Sequence, residues 1–248
     1  DVVELLGENR MLAKGGLERL AKTPNLGLQA LLKECGAVGP ISEELIKFQL
    51  APRLNALGRL GSAQKAIELF QTTDPKEAVK LAKEISAVNM KRRALQDAMV
   101  EQACAMVEGD PAVVVLGHPS WKQGLCGPAA SKVAERFNCP AVLLQECDGG
   151  IAKGSARSIE GVSIRDGLVE CQDLLERFGG HAAAAGLTLK TSLVGSLRVA
   201  LEAYFSTVER AAASIAVDCR SSLEEVGSRH ALRAMGELAP FGPGNPEP

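Results

Sequence analysis

Hydrophobic positions follow two different patterns along the chain, and the change falls near residue 110. Before it, apolar residues recur three or four positions apart, which predicts amphipathic helices. The clearest helix begins after Asp74, an N-cap residue followed by Pro75 at the first helical position and by Glu77, which would complete a capping box. It ends at residues 109–111, so it is roughly 50 Å long at 1.5 Å per residue. We expect a helix of this length to connect two lobes.

After residue 110, short apolar runs alternate with helical patterns, which is typical of an α/β domain. Residues 112–116 and 141–145 predict buried strands and residues 125–137 a helix between them, giving a βαβ unit with a parallel, right-handed crossover. The elements predicted next are strand 151–157, helix 164–177, strand 186–189, helix 192–210, strand 215–217 and a helix at about 229–238. The predicted fold class is therefore α/β, with a helical connector followed by a mixed, mostly parallel sheet with flanking helices.

The first 70 residues predict short helices separated by loops. The predicted elements are a helix at 9–20, a helix from 23–25 towards residue 32, a short helix capped by Ser42, a loop at 53–61 and a helix at 62–70. Together with the later elements, they divide the chain into four expected segments: 1–73, 74–110, 111–211 and 212–248.

Composition and charge narrow the class of protein without indicating a partner. Of the 248 residues, 46% are hydrophobic and only 3% aromatic, so the core has to be built from Ala, Leu, Val and Ile. The formal net charge of −2 provides no overall basic field, and nucleic acid could bind only through a local patch. No apolar run is long enough to span a bilayer and no signal-peptide pattern is present, so we expect a cytoplasmic protein without membrane contact.

Seven scattered cysteines agree with a cytoplasmic location. They form no C-x-x-C pair and no cysteine–histidine cluster with the spacing of a zinc site. Most lie among apolar residues, so we expect buried, reduced thiols.

Two glycine-rich segments contain the polar side chains best suited to chemistry. They are residues 150–158 (GIAKGSARS) and residues 178–186 (FGGHAAAAG), in which His181 is the one large polar group. Taken alone, the second segment is explained as well by a tight glycine turn and an alanine packing face. Together the two segments predict a site for a phosphorylated ligand.

Arg157 is the first candidate for binding a phosphate, because its guanidinium is planar and always charged. Ser155 and Ser158 would add hydroxyl donors, and Gly154 would let backbone N–H groups face the ligand. The alternative is a surface salt bridge from Arg157 to one of two nearby carboxylates, Glu160 or Asp166.

Five segments, in the same order, resemble the RecJ-like exonucleases of the DHH phosphoesterase superfamily. Besides the two glycine-rich segments, they are residues 51–60 (APRLNALGRL), 113–121 (VVVLGHPSW) and 238–248 (LAPFGPGNPEP). The resemblance covers nearly the whole chain. It implies that a helical segment at 1–73 follows a DHH domain, that 74–110 is an interlobe helix, that 111–211 is a DHH-associated substrate-binding domain and that 212–248 begins an OB-fold.

The resemblance also implies a function and a set of contacts. The chain would be the nucleic-acid-binding part of a 5′-to-3′ single-stranded-DNA-specific exonuclease that serves DNA repair and recombination. In this family, the segment that corresponds to Ser155 and Arg157 holds the phosphate at the 5′ end of the strand. The other implied contacts are Lys153, Gly154, Ser158, Gly179, Gly180, His181, Arg53 and Arg59.

Three of these contacts depend on predicted local structure. His181 would lie at the N-terminus of a helix after the glycine pair, where it would bind an anion or only cap the helix. Arg53 and Arg59 would flank Asn55 on the predicted loop, where they would contact the backbone of the strand or serve as ordinary surface charges.

Metal ions are implied for the full-length protein, but not for this chain. The family uses manganese or magnesium held by Asp and His residues of an N-terminal DHH domain, and no Asp-His-His triplet occurs here. Asp1 falls near the place where that domain ends, but one ligand cannot make a two-metal site.

The chain lacks an initiator Met and stops inside the motif at 238–248, so we expect a piece of a longer protein that is inactive alone. The expected partners are single-stranded DNA and the DHH domain of the same protein.

Two other hypotheses remain open at this point. The chain could belong to a DHH phosphoesterase that acts on short oligonucleotides or cyclic dinucleotides, although the partial OB-fold and the segment 51–60 favour the exonuclease. It could also be a non-catalytic nucleic-acid-binding protein. The chain departs from the family after Trp121, where Lys122-Gln123-Gly124 replaces the usual His-Pro-Gly, and we expect Trp121 to pack in the core rather than to stack on a base.

Overall fold

The computed structural model describes residues 3–209, 217 and 220–247. Asp1, Cys219 and all of the predicted strand 215–217 except Val217 lie outside these residues. The chain divides into two units. One takes its described residues from Asp1–Leu57, Ala63–Asn89 and Ala213–Pro248, and the other from Gly58–Ser62 and Met90–Ala212.

Helices form the first unit, as the spacing of apolar residues predicts. Its elements are α1 (Gly7–Leu20), α2 (Leu26–Glu34), a π-helical turn (Leu45–Leu50), the first part of α3 (Ala51–Leu60), α4 (Gln64–Gln71), the first part of α5 (Pro75–Ala105), α9 (Leu223–Val226) and α10 (Arg229–Glu237). Leu31, Leu69 and Ile85 are fully buried at its centre. The side chain of Asn25 caps α2 by accepting a hydrogen bond from the Leu28 N–H.

The loop predicted at residues 53–61 is wrong, because these residues belong mostly to α3. Asn55 and Gly58, which favoured a loop, lie on the exposed side of the helix, while Ala56 and Leu57 are buried. Pro52 lies at the second position of α3, directly after the π-helical turn Leu45–Leu50, so the helical run continues through it. Burial of one apolar side therefore overrides the local turn preference.

The long helix α5 has 31 residues, about 46 Å at 1.5 Å per residue. Asp74 caps it as predicted, with its carboxylate accepting a hydrogen bond from the Lys76 N–H at 2.9 Å. The expected capping box does not form, because the Asp74 N–H donates to the Thr72 hydroxyl instead of to Glu77.

The second unit contains a five-stranded sheet with helices on both faces, and the α/β fold class is confirmed. Its elements after α5 are β1 (Val114–His118), α6 (Gln123–Phe137), β2 (Ala141–Cys147), β3 (Ile151–Arg157), α7 (Ile164–Glu170), β4 (Arg177–His181), β5 (Ala184–Lys190) and α8 (Val194–Phe205). The strand order is β1-β2-β3-β5-β4.

The sheet is mixed, but the expectation of a mostly parallel sheet needs correction. Only β1 and β2 pair in parallel, through the predicted βαβ unit, and the other three pairings are antiparallel. Residues 148–150 join β2 to β3, and residues 182–183 join β4 to β5. Connections this short allow only antiparallel neighbours. Gly149 and Gly150, with φ of 86° and 75°, provide the left-handed backbone of the first turn.

The predicted helix at 164–177 also needs correction. Only Ile164–Glu170 is α-helical, and the chain re-enters the sheet at Arg177. The short connection between β4 and β5 keeps residues 177–181 beside their partner strand. After residue 216, the described residues contain α9, α10 and an isolated bridge between Gly242 and Asn245, so the start of an OB-fold remains a prediction.

Candidate nucleic-acid interface

The two faces of the sheet differ at β3, β5 and β4. On one face, residues such as Ala152, Ala156, Leu187 and Leu189 belong to a buried apolar cluster that also contains residues of α7 and α8. We call this the covered face. On the other face, α6 packs against β2 and β3. The remaining surface there, the open face, carries Lys153, Ser155 and Arg157 of β3 and their partners in β5 and β4.

Strand register arranges the open face in three rows, since directly paired residues project to the same side of an antiparallel sheet. The rows are Arg157, Ala184 and His181; Ser155, Gly186 and Gly179; and Lys153, Thr188 and Arg177. Lys153, Arg177, Gly179, His181 and Gly186 are exposed. The open face is therefore a shallow surface with small residues in its middle row and basic residues on either side.

Nothing in the fold requires glycine in that middle row. A Cβ atom added to Gly179 would meet nothing within 4 Å, and one added to Gly186 would meet only the Gly154 carbonyl oxygen, at 3.9 Å. Glycine weakens a strand interior and often marks a place where another molecule approaches the backbone closely. Gly179 and Gly186 therefore leave space above the open face in which another molecule could approach the backbone.

Gly180 and Gly154, by contrast, have packing roles. A Cβ atom at Gly180 would lie 2.2 Å from the Ala184 carbonyl oxygen, and its φ of 151° disfavours other residues. A Cβ atom at Gly154 would lie 1.9 Å from the Leu143 carbonyl oxygen. Gly154 is buried, so the expectation that it exposes backbone N–H groups to a ligand is not met.

Ser158 and His181 also differ from their predicted surroundings. The Ser158 hydroxyl donates to the Val162 carbonyl at 2.6 Å, which occupies it within the fold. His181 ends β4, and the helix expected to begin after the glycine pair does not exist, so both predicted helix-terminal roles for His181 are wrong. Its exposed ring lies on the open face, in the same row as Arg157.

Arg157 is half-buried beside α6. Its Nη1 donates to the carbonyl of Ala156 at 2.8 Å, and a Cβ atom built on Gly127 of α6 would lie 2.7 Å from its Nη2. The predicted salt bridges from Arg157 to Glu160 or Asp166, all of them described residues, are not formed. Burial lowers the pKa of the Arg157 guanidinium, and the nearby positive charge of Arg59 lowers that pKa further.

Arg59 belongs to the same unit as Arg157, at the end of α3. Its Nη1 donates to the Gly124 carbonyl in the first turn of α6, at 3.2 Å. The pKa of a third arginine, Arg92, is also lowered, first by burial and then by the charge of Arg59. Positive charge is thus concentrated locally in a chain whose net charge is −2.

Arg53 lies in the helical unit, and its guanidinium has acceptors there. It donates to the Ser86 hydroxyl at 3.1 Å, to the Gln49 carbonyl at 2.7 Å and to the Glu34 carbonyl at the end of α2 at 3.2 Å. A cation at a helix C-terminus is favourable, and these bonds tie α2, α3 and α5 together.

Residues of the segment 113–121 pack in the fold. Trp121 is 2% exposed and donates from Nε1 to Gln102 at 2.9 Å, which confirms its assignment to the core. His118 accepts a hydrogen bond from the Ser120 N–H at Nδ1.

Across the residues that the structure describes, no group of three His, Cys, Asp or Glu side chains could hold a metal ion, and no helix is long and apolar enough to cross a membrane.

Two polar side chains of the open face, those of Arg177 and Thr188, are not among the sequence-predicted contacts. The sequence pattern places Arg177 in a predicted helix and Thr188 in a predicted strand. The signal that could have found Arg177 is its spacing of two from Gly179 and four from His181, since residues at this spacing share a face of a strand.

Comparison with known proteins defines the class. Residues 109–209 match the model of the DHHA1 domain, and this range contains every strand of the sheet. The open face, with Ser155, Arg157 and His181, lies inside this match.

The relatives are more specific. The chain is similar over its whole length to the single-stranded-DNA-specific exonuclease RecJ of Bacillus subtilis (41% identity, 32% of that protein) and of Thermus thermophilus (34% identity, 36% of that protein). The crystal structure of Thermus thermophilus RecJ in complex with Mg²⁺ matches with a TM-score of 0.91 and 32% identity, over 100% of this chain and 39% of that one. The chain is a RecJ-like C-terminal part with a DHHA1 domain, and it spans about a third of the length of the curated relatives it matches.

Proposed function

We propose that the chain is the strand-binding part of a 5′-to-3′ exonuclease specific for single-stranded DNA. It holds the strand and its 5′ phosphate for a metal-dependent DHH domain that precedes residues 1–73. In this proposal residues 74–110 connect the lobes, 111–211 bind substrate and 212–248 begin an OB-fold. The proposal is supported by the relatives that match over the whole chain, which are named single-stranded-DNA-specific exonucleases.

The observation that carries the proposal is that the side chains of Arg59 and Arg157 both reach the first two turns of α6, beside an open, glycine-lined surface. Two guanidinium groups held near each other without a bridging carboxylate repel, and a bound dianion would relieve that repulsion. A terminal phosphate has the charge and the oxygen atoms to accept hydrogen bonds from both. The Ser155 hydroxyl, on the same strand face as Arg157, adds a donor.

The strand would continue from this phosphate across the open face. Gly179 and Gly186 leave room for a nucleotide backbone, His181 lies on one side of them, and Lys153 and Arg177 provide positive charge on the other. Contacts of this kind are made to phosphate and sugar groups, so they hold a strand of any base sequence equally well. Gly154, Ser158, Gly180 and Arg53 have contacts within the fold, and we propose that they shape the protein instead of touching the strand.

Metal chemistry belongs to the absent domain in this proposal. RecJ of Thermus thermophilus has been solved in complexes with Mg²⁺ and with Mn²⁺, which supports manganese or magnesium in the full-length protein. Held by that domain, such an ion would polarise the phosphodiester and lower the pKa of a bound water. The parent protein would act in the cytoplasm, in DNA repair and recombination.

The test replaces Arg157 by alanine in the full-length protein. A charge-assisted hydrogen bond to a desolvated phosphate contributes about 1.5–3 kcal/mol, so affinity for a 5′-phosphorylated single strand should fall roughly tenfold to a hundredfold. The loss should be the same for all base sequences and smaller for a 5′-hydroxyl strand. The control is Arg165→Ala, an exposed arginine on α7. Unchanged binding by Arg157→Ala, with a native circular dichroism spectrum, would refute the phosphate site.

A further inference from the structure

The first two turns of α6 have an unusual composition at the place where Arg59 and Arg157 meet the helix. Gly124, Gly127 and Pro128 lie at its second, fifth and sixth positions. Each lacks one group that other residues have: a Cβ atom in the glycines and a backbone N–H in the proline. In each case the missing group corresponds to a contact with one of the two arginines.

Pro128 affects Arg59 through the backbone. In an α-helix, the N–H of residue 128 would donate to the carbonyl of residue 124, and proline has no N–H to donate. The Gly124 carbonyl instead accepts a hydrogen bond from Arg59 Nη1, at 3.2 Å. A proline at the sixth position is unfavourable for the helix itself, because the tolerated place is the first turn.

The two glycines create space. A Cβ atom on Gly124 would lie 2.3 Å from the Arg59 carbonyl oxygen, so only glycine lets the end of α3 lie against α6. A Cβ atom on Gly127 would lie 2.7 Å from Arg157 Nη2 and 3.6 Å from the Ser155 hydroxyl oxygen. Both guanidinium groups are therefore located by the same short stretch of helix.

We propose that Gly124, Gly127 and Pro128 are positioning residues that hold Arg59 and Arg157 as a preformed pair for one terminal phosphate. This inference rests on the proposed function. Among the described residues neither arginine forms an ion pair with a carboxylate, and both side chains lie against the same helix. Preorganisation of this kind lowers the entropic cost of binding, which makes the preference for a 5′ phosphate depend on the helix.

Pro128→Ala in the full-length protein separates positioning from folding. The new N–H competes with Arg59 for the Gly124 carbonyl, so the preference for a 5′-phosphorylated over a 5′-hydroxyl oligonucleotide should fall about three- to tenfold, the value of a typical hydrogen bond. The Tm should stay the same or rise, because the helix gains a bond. If the proline had only a structural role, the opposite result would be expected: a lower Tm and an unchanged preference for the 5′-phosphorylated oligonucleotide.

The matched control is Pro75→Ala, which removes a proline from the first position of α5, where the N–H has no helical partner in any case. This variant should leave the phosphate preference unchanged. Arg59→Ala and the double variant Arg59→Ala/Pro128→Ala complete the test. Once Arg59 is absent, Pro128→Ala should have no further effect on the preference.

The outcomes distinguish this inference from the function on which it rests. If Arg59→Ala and Arg157→Ala reduce the phosphate preference and Pro128→Ala does not, the positioning role is refuted and the proposed function stands. A lower Tm of Pro128→Ala, or additive effects in the double variant, would also refute it. If neither arginine variant changes the preference, the phosphate site itself is wrong.

Discussion

The two faces of the sheet at β3, β5 and β4 are built from alternate residues of the same strands, yet they differ in almost every property. The covered face has Ala152 and Leu189 fully buried in an apolar cluster. The open face has exposed basic side chains and two glycines whose missing side chains leave empty space. A strand thus divides its residues between folding and binding with a period of two.

This comparison also separates residues that look equivalent in the sequence. Gly179 and Gly180 are neighbours, but Gly180 pairs with the buried Ala185 and Gly179 with the exposed Gly186. Arg53 and Arg59 lie on one helix, but the guanidinium of Arg53 donates to three residues within its unit, while Arg59 donates to one carbonyl. Residues of the same type in one sequence motif can therefore have different roles in the structure.

The largest expected effect is on the free energy of unfolding, and substitutions at two neighbouring residues of β5 measure it. Leu189→Ala removes a fully buried side chain from the covered face and should lower the free energy of unfolding by about 2–5 kcal/mol. Thr188→Ala on the open face should change it by less than about 0.5 kcal/mol. Urea denaturation of both variants measures the difference. Equal losses would show that the open face is also part of the folded core.

A second pair tests the glycines. Gly180→Ala places a side chain at positive φ and against Ala184, so it should cost about 1–3 kcal/mol of stability. Gly179→Ala has free space within the protein and should leave stability unchanged or slightly higher. In the full-length protein it should nevertheless weaken binding of single-stranded DNA about five- to tenfold, the effect of an extra methyl group in a closely packed contact. Unweakened binding by Gly179→Ala would contradict close approach of a strand to the open face.

The sequence predicts elements well where one local signal dominates. The bounds of β3 agree with its prediction, and α6 and β2 agree within two residues, because long apolar or alternating runs leave little choice. The turn Asp148-Gly149-Gly150 also indicates antiparallel pairing of β2 and β3, because Asp-Gly and Gly-Gly are typical of hairpin turns. The βαβ pattern that precedes this turn favoured a mostly parallel sheet instead.

Other features could not be predicted because they depend on distant parts of the chain. The helical state of residues 53–60 follows from burial of Ala56 and Leu57, which a local turn signal does not contain. The approach of Arg59 to Arg157 requires the packing of residues 58–60 against α6. The resemblance to a family predicted both arginines as contacts, but only the structure shows that both side chains reach the same helix.

The smallest expected effect concerns Arg177, which the strand register alone adds to the contact set. Its exposed guanidinium lies in the row of Lys153 and Thr188, so a phosphate bound there stays hydrated, and Arg177→Ala in the full-length protein should weaken binding of single-stranded DNA only about two- to fivefold. One fewer counterion is released, so the slope of log K against log salt concentration should become shallower by about 0.7. Arg165→Ala, on α7, removes the same charge without touching the open face and should leave both quantities unchanged. Equal effects of the two variants would mean that Arg177 acts only through net charge, and the strand would then not cross this row.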